Sequence, residues 1–162
     1  MPEVVVDTSP LQYLHRLKLL DLLRHQYGNV VVPEAVVREI QSGAALAADV
    51  PDISVLAWIH EQKVAASSVR KVLATLGRGE REVIALALHK VEPLVVLDDR
   101  QARREAKRLS IRCTGVLGIL LKAKQGGRIG QLVPLLNELQ RRGFYLDATT
   151  RSTVLQLAGE RP

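Results

Sequence analysis

Four carboxylate positions hold the chemistry in this chain. Asp7 directly follows the apolar run Val4–Val5–Val6, and the doubled acids Asp98 and Asp99 directly follow Leu94–Val95–Val96–Leu97. Glu39 and Glu80 fall on the apolar side of predicted helices, where a carboxylate is costly unless something pairs with it. Ligand chemistry in open parallel sheets gathers beyond the carboxyl ends of the strands. Acids at two strand ends, joined by two acids on inward helix faces, therefore predict a divalent-cation site. Hard oxygen ligands of this kind suit Mg²⁺ or Mn²⁺, and no Cys/His cluster offers a structural zinc site.

Helical phase separates these acids from their neighbours. At about 100° per residue, Glu39 lies in the sector of Ala35, Val36 and Ile40, while Glu34 lies opposite, four residues before Arg38. Glu80 heads the stripe Val83, Ile84, Ala87 and Leu88, and Glu82 points nearly opposite, which reads as a solvated position. Each acid also has an ordinary structural role open to it. Asp7 or Asp98 can cap the helix that follows, Glu80 can be a first-turn acid favoured by the helix dipole, and Glu39 can pair with an arginine. The convergence of all four positions favours the cation site.

The elements that position these residues alternate between strand and helix signals. Strands are predicted at Glu3–Val6, Asn29–Val32, Leu94–Leu97 and around Ile111–Cys113, with an edge strand at Ile53–Ile59. Ser9–Pro10 predicts a helix start, and Leu11 to Leu23 an amphipathic, bent stretch ending before Gly28. Further helices are predicted from Pro33 to Ser42–Gly43, and over Ser67–Leu76, Glu80–Lys90, Arg100–Leu109, Gly115–Lys124, Leu132–Arg142 and Thr150–Ala158. This alternation predicts an α/β fold with a parallel sheet and helices on both faces. The leucines at 11, 14, 17, 19, 20, 22 and 23 exceed one core-facing stripe, which predicts an exposed apolar patch suited to self-association or antitoxin contact.

Composition bounds the remaining choices. The 162 residues predict one domain with a full core, numbered 1–162. The single cysteine, Cys113, forms no intramolecular disulfide and fits a reducing cytoplasm. No secretory signal or membrane-spanning run is legible, so no membrane partner is expected. The formal charge of +6 favours a polyanionic partner. Arg100, Arg103, Arg104 and Lys107 line one face of the helix after Asp99, a face suited to backbone phosphates or simply to solvent. Aromatic residues are only 3% of the chain, which argues against extensive base stacking. Nucleotide-binding GxxxxGK[ST] and GxGxxG loops are missing.

Taken together, VVVDTSPLQYL, VPEAVVREI, LGRGEREVIALAL and LVVLDDRQARREA resemble the PIN-domain nucleases, in a branch akin to the VapC toxins of toxin–antitoxin pairs. The likeness runs from Val4 to about Leu139. It implies a three-layer αβα sandwich with a central, mostly parallel sheet. It also implies a metal-dependent ribonuclease with Asp7, Glu39, Glu80 and Asp99 as catalytic acids, Asp98 as an adjacent ligand, and Mg²⁺ or Mn²⁺ as cofactor. Thr8 and Ser9 match the hydroxyl positions beside the first acid. RNA, a small antitoxin and a second copy of the chain are the implied partners. The chain departs from VapC-like sequences at Glu80, where Asp is commoner, and in a C-terminal extension from about 141 to 162. A PIN-like fold with weak catalysis, serving as an RNA- or protein-binding module, is the alternative. A phosphotransferase of the haloacid-dehalogenase or receiver type is disfavoured by Ser9 and by Thr114–Gly115, where those classes expect an acid and a lysine.

Overall fold

The computed structural model describes residues 1–46 and 48–161; Ala47 and Pro162, the last residue of the predicted extension, lie outside the described residues. Two compact units are present, Met1–Gly115 and Val116–Pro162.

The first unit is built on five parallel strands: β1 (Glu3–Val6), β2 (Val30–Pro33), β3 (Ile59–Gln62), β4 (Pro93–Val96) and β5 (Arg112–Thr114), in the order β3-β2-β1-β4-β5. Val4, Val5 and Val6 of β1 and Val95, Val96 and Leu97 at β4 are all at most 1% exposed. Both faces of the central strands are therefore covered, which is why they read as unbroken apolar runs rather than alternating ones. Burying each such side chain contributes about 1.5–3 kcal/mol.

Helices α1 (Thr8–Arg16) and α2 (Asp21–Tyr27) connect β1 to β2, and α3 (Glu34–Ala45) leads from β2 towards β3. The short α4 (Ala66–Val69) and α5 (Arg78–Ala87) connect β3 to β4, and α6 (Arg100–Arg108) connects β4 to β5. The first set of crossovers steps one way from β1 and the second set steps the other. Right-handed crossovers then put the two sets on opposite faces, giving the three-layer αβα sandwich. The strand order reverses between β1 and β4, and the crevice beyond their carboxyl ends is where such sheets bind ligands. The register Val6↔Val96 brings Asp7 level with the end of β4, and the Asp7 amide donates to the Val96 carbonyl at 3.1 Å.

Several sequence expectations are corrected. The first helix starts at Thr8 with Asp7 as its N-terminal flanking residue, so Ser9 and Pro10 lie inside the first turn. The bent leucine stretch is two helices, broken where Lys18 takes a φ of 61°. The edge strand is Ile59–Gln62 rather than Ile53–Ile59; Ile53–Val55 forms a 3₁₀ turn capped by Asp52, whose Oδ1 accepts from the Ser54 amide at 3.1 Å. Of the expected Ser67–Leu76 helix only Ser67–Val69 is α-helical, within the short helix Ala66–Val69. The expected leucine patch is not there. Leu11, Leu14, Leu22 and Leu23 are buried in the core, and Leu17, Leu19 and Leu20 are half-buried.

The second unit contains α7 (Val116–Gln125), α8 (Leu132–Arg141) and α9 (Ala148–Leu157), which pack on one another. Val116, Ile119, Leu120, Leu132, Leu136, Leu139 and Leu155 are among its buried side chains, at 1% exposure or less. The chain then folds back so that the Glu160 carboxylate receives the Leu132 amide at 2.7 and 3.0 Å and the Val133 amide at 3.3 Å, and pairs with Lys124 at 3.5 Å. These are orphan donors of the first turn of α8, which its flanking residue Gln131 does not cap. Residues of the expected extension thus supply a helix and the cap of another. Among the described residues, no helix is long and apolar enough to cross a membrane.

Candidate functional site

Asp7 sits at the end of the central strand and is 4% exposed. Its side chain makes no capping bond to α1, so the ordinary role of a helix cap is not the one it fills. Burial pushes its pKa from 3.8 up to about 7, the Thr8 amide partly offsets this, and the carboxylates of Glu80, Glu39 and Asp98 raise it further. Those three influences place Asp7 among other acids, and no cationic side chain among the described residues forms an ion pair with it.

Glu39 reaches the same place from the middle of α3. Its Oε2 accepts the Thr8 hydroxyl and its Oε1 accepts the Gly79 amide at 3.2 Å. The approach to α5 requires glycine: a Cβ on Gly79 would stand 2.5 Å from Glu39 Oε1. Glu39 is exposed, because the cleft it enters is open to solvent. Glu80 stands in the first turn of α5, where its Oε2 accepts the Gly77 amide at 3.1 Å, a capping-box contact. Burial raises its pKa, the charges of Asp99 and Glu39 add to the rise, and the Gly77 amide opposes it. Asp7, Thr8, Ser9, Glu39 and Glu80 line one cleft of about 190 Å³, together with Gln12, Gly77 and Gly79. Gln12 was not singled out by sequence reasoning, although it lies four residues after Thr8 on the same face of α1.

The doubled acids divide their attention. Asp99 is the N-cap of α6, with Oδ2 accepting the Ala102 amide at 2.9 Å, and its charge acts on Glu80. Asp98 acts on Asp7. Asp98 also lies against Gly115, where a side chain would collide with its carboxylate and with the Arg103 guanidinium.

The burial order of both glutamate pairs is the reverse of the phase assignment: Glu34 is half-buried while Glu39 is exposed. Glu82 is not solvated but 4% exposed, the buried member of its pair, whereas Glu80 is half-buried. Its Oε1 accepts the Ala35 amide at 3.1 Å and its Oε2 accepts from Arg78 Nε at 3.1 Å, with Arg38 at 3.9 Å. The helix α5 is enclosed by β1, β2, β4 and α3, so a residue opposite its apolar stripe meets protein rather than water. Glu34 pairs with Arg38 at 3.9 Å, the i,i+4 contact its spacing predicts.

The basic face of α6 has one member tied towards the acids. Arg103 donates to the Leu97 carbonyl at 3.0 Å, at the end of β4. Arg100, Arg104 and Lys107 lie on the exposed side, while Ala102, Glu105 and Ala106 face inward. Cys113 is half-buried, and burial pushes its thiol pKa up, consistent with an unreactive position.

Whether these residues suit a cation is decided by their chemistry and spacing. The donors are hard oxygens converging on one cleft at the sheet's switch point, and Asp7 is held among carboxylates whose repulsion a divalent ion would relieve. Among the described residues, no three acids stand close enough to form a finished coordination shell. The set fits a hard cation in type and location, provided side chains such as Glu39 and Glu80 shift from their amide partners.

Comparison with known proteins bears on the fold and the family. A family model described as a PIN domain matches residues 3–160, spanning both units. Among solved structures, a PilT N-terminus domain protein from the hyperthermophilic archaeon Sulfolobus solfataricus P2 is similar with a TM-score of 0.56 and 18% sequence identity, covering 74% of this chain and 92% of that one. At that identity the likeness is one of fold. No curated protein gives a match.

Proposed function

The chain belongs to the PIN-domain family, a fold that is generally a nuclease, and from that premise we propose that it is an endoribonuclease dependent on Mg²⁺ or Mn²⁺. The observation that carries this reading is the meeting of Asp7, Glu39 and Glu80 in one cleft at the switch point of the sheet. Those three would hold the cation, with Asp98 or Asp99 at the rim of the set. When bound, a divalent ion supplies Lewis-acid stabilisation of phosphate charge and a more acidic water.

The chain's own residues account for the rest. Asp7, whose pKa without a cation is about 7, would give up its proton near neutrality as a cation enters. Thr8 and the Gly79 amide orient Glu39. Ser9 and Gln12 line the cleft with polar groups that can hydrogen-bond a phosphate oxygen. Arg100, Arg104 and Lys107 offer exposed cations to the backbone of a polyanion, with a salt-dependent contribution to binding. In this reading the protein is the toxin of a toxin–antitoxin pair, acts as a homodimer in the cytoplasm, and is held inactive by a small antitoxin.

The direct test is cleavage of single-stranded RNA by the purified chain with Mn²⁺ and with EDTA. Mn²⁺-dependent cleavage that Asp7→Asn abolishes supports the reading. A second reading, a PIN-like module that binds RNA or protein without cutting, draws on the engagement of Glu80 and Asp99 as helix caps. RNA binding without cleavage at any Mn²⁺ concentration would favour it. Light scattering tests the dimer, and a short open reading frame beside the gene tests the antitoxin.

A further inference from the structure

Two helices that carry the cleft's acids lack a side-chain acceptor at the residue that precedes them. The residue preceding α3 is Pro33 and the residue preceding α5 is Gly77, and neither offers a side-chain acceptor to its helix. The first-turn amides of both helices are orphan donors that need partners when buried. Each helix takes an acceptor from the other. Glu82 of α5 accepts the Ala35 amide at the start of α3, and Glu39 of α3 accepts the Gly79 amide at the start of α5. Ala35 and Gly79 are the second residues of their helices, so the two contacts mirror one another. The packing is cut to this exchange. Ala35 is 3% exposed, Glu82 is 4% exposed, and a Cβ on Gly79 would strike Glu39.

We propose that Glu82 is a positioning residue for the cleft, fixing α3 against α5 so that Glu39 is delivered to Asp7 and Glu80. Glu82 does not line the cleft itself. It acts through the Ala35 amide and through Arg78 and Arg38, which balance its buried charge. This inference rests on the proposed function insofar as the cleft is a cation site. Residues that orient metal ligands from outside the coordination shell typically change metal affinity by about 10- to 100-fold when removed.

The test uses Mn²⁺ alone as the probe, in calorimetric titrations of the full chain below the melting transition of every variant, paired with amide exchange at Gly79 in EDTA. E82A should weaken Mn²⁺ binding about tenfold or more and speed exchange of the Gly79 amide, because Glu39 is no longer held in register. E82Q keeps an acceptor for Ala35 but turns an NH₂ towards Arg78, so it should recover most of the affinity; general destabilisation of a still-folded chain would show no such rescue. E61Q, at an exposed position of β3, should match the unaltered protein. If E82A does not fold, E82Q carries the test, with a loss of about two- to fivefold expected. Mn²⁺ affinity within twofold of the unaltered chain in E82A, or in E82Q where that variant alone folds, would overturn the inference while leaving the proposed function standing. Absence of Mn²⁺ binding by the unaltered chain would overturn both.

Discussion

Thr8 donates its hydroxyl hydrogen to Glu39, joining the first residue of α1 to the middle of α3 across 31 positions of sequence. Thr8 is 8% exposed while Glu39 faces the open cleft, so the bond is part-buried and ties the end of the central strand to a helix of the cleft. Thr8→Val keeps the shape and removes the donor. It should cost about 1 kcal/mol, read as a lower urea midpoint with an unchanged slope. A midpoint equal to that of the unaltered protein would show that the bond contributes nothing to the fold.

Asp7 gives the metal-free protein a particular pH dependence. Its folded pKa of about 7 lies above the ordinary 3.8, so the folded state binds the proton more tightly than the unfolded chain. The stability linked to this group is complete below about pH 4, is lost as pH rises through about 7, and stays lost above it. Asp7→Asn should remove that slope and stabilise the EDTA-treated protein at pH 8 by roughly 1–4 kcal/mol, since one pKa unit corresponds to about 1.4 kcal/mol. Urea unfolding at pH 4, 6 and 8 checks this, and a variant less stable than the parent at pH 8 would contradict it.

Gly79→Ala separates stability from site geometry. Alanine favours a helix by about 0.5–1 kcal/mol over glycine, yet its Cβ would stand 2.5 Å from Glu39 Oε1. The carboxylate must swing away and lose the Gly79 amide. The expected outcome is a melting temperature within a few degrees of the parent, with Mn²⁺-dependent RNA cleavage reduced at least tenfold. Full cleavage would show that Glu39 does not need this approach.

Glu160 should matter to the second unit alone. Its carboxylate satisfies the Leu132 and Val133 amides and pairs with Lys124. Glu160→Ala should cost about 1–2 kcal/mol, as loss of a helix cap does. Burial by itself would raise the Glu160 pKa, but the two amides and Lys124 bring it below 4.5. The stabilisation is thus present above about pH 4.5 and fades as pH falls through the lowered value. Amide exchange at Leu132 and Val133 measures it directly, and unchanged protection in the variant would rule the cap out.

These relationships were unequally legible in the sequence. The strands β1 and β4 could be read because both faces are buried and the apolar run is unbroken, so the acids that follow were placed at the carboxyl edge. The PIN-domain family and its αβα sandwich could be read from the order of the same segments. Glu82 was misread because helical phase assigns an inside and an outside, and α5 has protein on both. The leucines of α1 and α2 were misread for a related reason: the break at Lys18 gives the stretch two separate inward faces. Gly79 and Glu160 act through contacts 40 and 28 residues away, and local patterns carry no trace of such partners.

The pairing of β1 with β4 has a consequence for the order of events during synthesis. Val6 and Val96 are neighbours in the sheet but about 90 residues apart in the chain, so their union closes a long loop and belongs to the slow, non-local part of folding. Asp7 emerges early, and it gains Asp98 as a neighbour only after β4 has been made and docked beside it. A chain halted before β4 already holds Asp7, Glu39 and Glu80 but lacks the strand that flanks Asp7, so the burial of that first acid is completed only when the sheet closes beside it.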